Sequence, residues 1–134
     1  MSPEQLLGQI ESNGDIVVAD FEAGLGTLSR MESGNVDILL VIVEPTQKSI
    51  QVGRRALAII SERQLGRSIL VANRVANRED RELIEMAFPD HEVVFVPEDP
   101  GLRKADMEGQ APFDAVPDSP AVGSIRELAF SLFD

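Results

Sequence analysis

Four short apolar runs, separated by longer segments with helical patterning, constrain the fold of this chain most. The runs lie at residues 16–19, 38–43, 68–72 and 92–96. Their apolar side chains follow one another without alternation, which is typical of strands buried on both faces of a parallel sheet. The alternation of helix and strand therefore predicts an α/β fold, a parallel sheet with helices on both faces. At 134 residues, 43% of them hydrophobic, the chain can bury the core of one domain spanning 1–134.

Turn and capping residues mark the ends of the predicted helices. Ser2 precedes Pro3 at a first helix, Thr46 precedes a second, and Asn77 is followed three residues later by Asp80. A short helix after residue 24 ends at Gly34, and Pro120 opens the last helix. The proline-rich segment 97–119 predicts a long stretch without regular structure.

Composition excludes several classes of function. The net charge is −11 and no stripe of Lys or Arg is interleaved with aromatic residues, so nucleic acid is not an expected partner. No apolar run approaches the ~20 residues of a membrane span, and the first residues lack the pattern of a signal peptide. These features predict a cytoplasmic protein without a membrane span. Without cysteine, and with His91 alone between two acids, metal sites built on Cys or His are not expected.

Each predicted strand is followed by residues that can carry chemistry. Asp20, Glu44, Asn73-Arg74 and the run Pro97-Glu98-Asp99 come directly after the four apolar runs. Because the carboxyl ends of parallel strands share one edge of a sheet, and ligands bind there in open α/β folds, we expect these residues to form one site.

The segment 15–30, DIVVADFEAGLGTLSR, permits three interpretations. Gly24 to Ser29 loosely fits the dinucleotide fingerprint GxGxxG, with Glu44 about 20 residues later. Alternatively, Asp20 and Gly24 fit the DxxxG pattern in which a carboxylate holds a water of Mg²⁺ and a glycine N–H senses a γ-phosphate. In the third, Asp20 closes a turn and the glycines allow tight packing.

Several short motifs carry a resemblance that covers nearly the whole chain. They are VVxDxEAGL at 17–25, VDxLLVxVEP at 36–45, VANRV at 71–75, VPEDPxxxxAD at 96–106 and SPAV at 119–122. In this order and spacing they resemble the second half of a MinD and ParA type (SIMIBI-class) P-loop ATPase. Within that class the chain is most similar to the nickel-insertion ATPases of carbon monoxide dehydrogenase.

The resemblance implies a role for each residue of the predicted edge. The implied catalytic residues are Asp20, which would hold Mg²⁺ through water, and Gly24, which would contact the γ-phosphate. The amide of Asn73 would bind the adenine edge, as a group able to donate and accept at once. The nucleotide-binding set implied by the family is Asn73, Arg74, Pro97, Glu98 and Asp99.

The sequence also departs from the family, because it contains no GxxxxGK[ST]. The phosphate loop and the Cys-x-Cys metal site of the nickel-insertion members would both precede Met1. ATP and Mg²⁺ are therefore expected only if the phosphate loop is supplied elsewhere. In the family, the strand leading to that loop lies between the strands equivalent to 16–19 and 38–43, so we expect a gap there.

Three functions remain open from the sequence. The first is half of an ATPase for metallocentre maturation or partitioning, which would act on a metalloenzyme client. The second is a pseudo-ATPase that binds or regulates without hydrolysing ATP. The third is an NAD(P)-binding enzyme. The expected partners are a second copy or a chain bearing the P-loop, because a gap in the sheet would leave unpaired strand edges.

Overall fold

Three parallel strands form the sheet of this protein. The computed structural model describes residues 15–21 and 25–133. In that part of the chain the strands lie in the order β1 (Ile38–Val43), β2 (Arg67–Val75) and β3 (Val93–Pro97). The helices are α1 (Gly26–Arg30), α2 (Gln47–Glu62), α3 (Arg78–Ala87), α4 (Pro100–Met107), α5 (Pro112–Ala115) and α6 (Pro120–Leu132). The predicted fold class, a parallel sheet with helices on both faces, is confirmed.

The larger core lies between the sheet and helices α2 and α3. Leu39, Val41 and Val43 of β1 point into it, and α2 adds a buried stripe at helical spacing. This stripe consists of Ile50, Gly53, Ala56, Leu57 and Ile60. Both helices connect neighbouring parallel strands, which places the carboxyl ends of all three strands at one edge.

The described residues cover the opposite face of the sheet only in part. Helix α6 buries Ala121 and Leu128 against β2 and β3, whereas Leu40 and Ile42 of β1 are 42% and 64% exposed. Ile125, in line with Ala121 and Leu128 on the inward side of α6, is also half exposed. The prediction that 38–43 is buried on both faces is therefore wrong for this face. We call Leu40 and Ile42 the open face of β1.

The predicted strand at 16–19 does not form. Residues 15–20 are all exposed, and Val18 is 88% exposed. A strand requires a neighbour for its backbone N–H and C=O groups, and no strand of the described residues pairs with the outer edge of β1. Phe21 nevertheless packs partly against the larger core.

Two helix starts follow the sequence prediction closely. The Thr46 hydroxyl accepts from the Ser49 N–H at 3.2 Å. At α3, Asn77 accepts from the Asp80 N–H at 2.9 Å, and Asp80 accepts in return from the Ala76 N–H at 2.9 Å. These contacts satisfy N–H groups that a helix start leaves without intrahelical partners.

Other helix predictions need correction. Segment 97–119 is not irregular, because Pro100 and Pro112 stand in the first turns of α4 and α5, where proline is tolerated. Helix α1 ends at Arg30 rather than at Gly34, and Met31, directly after it, is fully buried. The predicted first helix after Ser2 lies outside the described residues.

Candidate functional site

The carboxyl ends of the three strands meet in a cluster of charged side chains. Arg74, at the end of β2, lies 3.0 Å from Glu98 after β3 and 3.5 Å from Glu44 after β1. The hydrogen bond and charge of Glu98, followed by the charge of Glu44, raise the pKa of the Arg74 guanidinium. We call Glu44, Arg74 and Glu98 the edge cluster. Its formation confirms that these three strand ends converge.

A β-bulge shapes strand β2 at this cluster. Ala72 pairs with Phe95 and Val75 with Pro97, so Asn73 and Arg74 together face a single residue of β3. Arg74 adopts the left-handed conformation, with φ of 60°. Bulges increase the local twist and re-aim side chains, and they are common beside binding sites. The bulge thus makes the end of β2 irregular and leaves Arg74 exposed. We call residues 73–75 the lip of β2.

Asn73 offers a hydrogen-bonding group at this lip. It is half-buried, and its side-chain amide forms no hydrogen bond with another residue of the described chain. Pro97, also half-buried, lies on the neighbouring strand, and the Glu98 N–H donates to the Val75 carbonyl at 3.0 Å. An amide that can donate and accept, next to a rigid apolar ring, suits a planar polar ligand.

Asp99 has a structural role that the sequence analysis did not assign. Its carboxylate accepts from Gly101 N–H at 2.9 Å in α4 and from Ala121 N–H at 3.1 Å in α6. The bond from Ala121 lowers the pKa of Asp99 most, burial opposes it, and Gly101 and the Ser119 hydroxyl lower it further. One side chain therefore holds the starts of two helices. A ribose contact from Asp99 stays a prediction.

Asp99→Ala is expected to lower the melting temperature by roughly 5 to 10 °C at pH 7, because two helix starts lose a cap. Since the folded pKa is depressed, this contribution is present above the unfolded pKa of about 3.9 and is lost as pH falls through the folded pKa. Calorimetry at pH 7 and pH 3 should show the difference between wild type and variant shrinking in acid. The control is Asp106→Ala, which removes an exposed aspartate of α4 and should leave the melting temperature unchanged at both pH values. A drop in melting temperature as large as that of Asp99→Ala would contradict the capping role.

The described contacts do not bring Asp20 to the edge cluster. Asp20 is exposed and has no hydrogen bond or ion pair with a described residue, and Gly24 lies outside the described residues. Across 15–21 and 25–133, no group of three or more His, Cys, Asp or Glu side chains could hold a metal ion. The roles of Asp20 and Gly24 stay predictions. No helix in the same ranges is long and apolar enough to cross a membrane.

Solved structures share this arrangement of strands and helices. The MinD cell division protein of Aquifex aeolicus matches 73% of this chain and 44% of its own, with a TM-score of 0.61 and 23% sequence identity. The fold is MinD-like. The MinC:MinD cell division protein complex of the same organism gives a TM-score of 0.61 over 43% of the matched chain.

Curated relatives are longer than this chain. An uncharacterized ATP-binding protein of Methanocaldococcus jannaschii is 35% identical over 135 residues, which are 96% of this chain and 50% of the relative. A second protein of that organism, also named an uncharacterized ATP-binding protein, is 30% identical over 100 residues and is matched over 38% of its length. The MinD-like chain thus spans half or less of these relatives. No family model matches it.

Proposed function

We propose that this MinD-like chain binds the base and ribose of ATP at the carboxyl edge of its sheet. The observation that carries the proposal is the half-buried amide of Asn73, without a partner in the described chain, on the bulge beside Pro97. This edge is where open parallel sheets bind ligands. Two relatives that are named ATP-binding proteins support a nucleotide as the ligand.

The phosphates require a loop that this sequence does not contain. Binding of β- and γ-phosphates in the P-loop class depends on the N–H groups and lysine of GxxxxGK[ST], which is absent from the 134 residues. In our proposal that loop comes from another segment or chain. Mg²⁺ keeps several of its waters when it binds beside phosphates, so Asp20 would hold it through one of these waters, with the Gly24 N–H at the γ-phosphate.

In our proposal the completing part binds at β1, beside its open face. Leu40 and Ile42 are exposed there, and no described strand pairs with the outer edge of β1. Parallel sheets are normally covered on both faces, so the open face of β1 would be covered by another part. The unpaired outer edge of β1 would likewise pair with another strand. The relatives, at least twice the matched length, are long enough to contain such a part. We propose a chain segment or partner bearing the P-loop, with a second copy of this chain as the alternative.

The biological role follows from the family resemblance alone. We propose ATP-driven metallocentre maturation in the cytoplasm, with nickel insertion into a metalloenzyme client as the first candidate and partitioning as the second. The alternative is a pseudo-ATPase that binds or regulates without hydrolysis. The NAD(P)-binding enzyme is the third candidate, and the names of the two relatives, both ATP-binding proteins, support it less.

The chain alone is expected to bind adenosine and ATP weakly and with similar affinity, and to hydrolyse no ATP. Asn73→Ala should weaken the binding of adenosine and of ATP by roughly 1 to 3 kcal/mol each, because it leaves polar atoms of the ligand unpaired. Gln51→Ala, which removes an exposed amide on α2, is the matched control. Titrations followed by NMR measure these affinities, with NADH as competitor.

Three results would contradict this function. Tight binding of Mg-ATP by the chain alone would show that the phosphates are already held. NADH displacing adenosine at far lower concentration than ATP would favour the dinucleotide enzyme. An unchanged affinity in a folded Asn73→Ala variant would show that Asn73 does not contact the ligand.

A further inference from the structure

Arg74 forms ion pairs with two carboxylates at the carboxyl edge of the sheet, where we propose that the nucleotide binds. Glu44 and Glu98 stand on the two neighbouring strand ends, and the Arg74 side chain lies between them at 3.5 and 3.0 Å. All three side chains remain 42 to 60% exposed. The ion pairs are therefore accessible from the solvent at the same edge as Asn73, and they contribute little to folding.

The backbone of Arg74 shows that this position is fixed by its surroundings. Only two non-glycine residues in the described chain have a positive φ, and Arg74 is one of them. A large side chain in this conformation is unfavourable and persists where other contacts determine it, often at binding sites. Here the bulge and the two ion pairs supply those contacts.

An anionic ligand would meet strong repulsion at this edge without Arg74. The chain carries a net charge of −11, and the edge cluster contains two carboxylates to one guanidinium. A nucleoside triphosphate brings further negative charge, whereas adenosine brings none. The planar guanidinium of arginine can hold both carboxylates at once, whereas the single ammonium group of lysine does so less well.

We propose that Arg74 is a positioning residue that lets this edge accept charged as well as neutral ligands, by pairing with Glu44 and Glu98 and offsetting one of their two negative charges. The proposal rests on the nucleotide site proposed above and assigns Arg74 no direct contact with the ligand. The ion pairs keep both carboxylates directed at the guanidinium, so the edge accepts a nucleotide whose phosphates lie nearby. Arg74 thereby acts on the ligand through its two partners.

The test compares ATP with adenosine on the full chain. Arg74→Gly suits it because glycine accepts the left-handed conformation and keeps the bulge. In low salt, NMR titrations should show ATP binding about tenfold weaker than in wild type, from repulsion by two unpaired carboxylates. Adenosine binding should change less than twofold, and 0.5 M salt should narrow the loss for ATP, because salt screens exposed charges.

Further variants separate neutralisation from a direct contact. Adding Glu44→Gln and Glu98→Gln to Arg74→Gly removes all charge from the cluster and should raise the ratio of ATP to adenosine affinity at least to the wild-type value. Arg74→Lys, which keeps the positive charge, should retain most of the wild-type ratio. Arg67→Gly removes a similar exposed pair, Arg67 with Glu92 at 2.9 Å, at the other end of β2, and should leave the ratio unchanged.

Two outcomes would overturn the assignment. An equal loss for adenosine and ATP in Arg74→Gly, not rescued by the two glutamines, would show that Arg74 contacts the base or ribose directly. An unchanged ratio would show that the edge charge is irrelevant. If wild type binds neither ligand while remaining folded, the proposed nucleotide site fails and the role of Arg74 fails with it.

Discussion

Completed with a phosphate-binding half, this protein is expected to hydrolyse ATP, and Asp20→Ala should then slow turnover about 100-fold or more. The reason is the charge that builds up during phosphoryl transfer, which Mg²⁺ neutralises only while its waters are held in place. In our proposal the Asp20 carboxylate holds one of those waters. The exposed position of Asp20 leaves it accessible to such a metal.

The experiment uses a fusion of this chain to the half of the Methanocaldococcus jannaschii relative that it does not span. Phosphate release measures turnover. Asp15→Ala is the matched control, since Asp15 belongs to the same exposed stretch and should leave turnover within twofold. Equal losses in the two variants, or turnover by the chain alone, would contradict the role of Asp20.

Ile42→Lys is expected to weaken self-association of the chain alone by at least about tenfold. Ile42 is 64% exposed on the open face of β1, at a strand whose outer edge has no partner in the described residues. Exposed apolar edges pair with other chains, and a lysine there opposes this by its charge and hydration. Wild type should therefore sediment with concentration-dependent mass.

Val52→Lys provides the comparison, because Val52 is also apolar and 42% exposed but lies on α2, away from the sheet edge. It should self-associate as wild type does. A concentration-independent monomer in wild type would remove the basis for a partner on this face. In the fusion with a phosphate-binding half, Ile42→Lys should instead destabilise the protein, because the face would then be covered.

The pattern of apolar runs predicted the three strands of the sheet well, because buried strands require apolar side chains that are visible in the sequence. The runs at 38–43, 68–72 and 92–96 coincide with β1, β2 and β3 to within a few residues. The capping residues Thr46 and Asn77 accept hydrogen bonds from residues that are close in sequence, Ser49 and Asp80. Their roles could therefore also be predicted from the sequence. The convergence of Glu44, Arg74 and Glu98 followed from the rule that parallel strands end at one edge.

Features that depend on distant neighbours could not be read in this way. Residues 16–19 have strand composition, but composition cannot supply the partner that a strand needs. Leu40 and Ile42 are as apolar as Leu39 and Val41, but α6, the described helix on their side of the sheet, buries its residues against β2 and β3 and leaves them exposed. The proline-rich segment was misread because proline can begin a helix as well as interrupt one.

The convergence of the strand ends was predicted, but the contacts between their side chains were not. Glu44 stood outside the implied nucleotide-binding set, although acids flanking an arginine at three successive strand ends were a usable signal. Nothing in the sequence indicated the left-handed backbone at Arg74, since arginine has no preference for it. Asp99 was read as a ligand contact, but its bond to Ala121, 22 residues away, depends on the tertiary fold.

The central claim is that an adenine nucleotide binds at the carboxyl edge of the sheet, and NMR shift mapping tests it most directly. Labelled chain titrated with adenosine should show its largest shifts at the Asn73 side-chain amide and at backbone amides of 74–76 and 98–99. The groove between α2 and α3, lined by Arg54, Phe88 and His91, should not respond. Shifts confined to that groove, or no shifts at saturating ligand, would contradict the account.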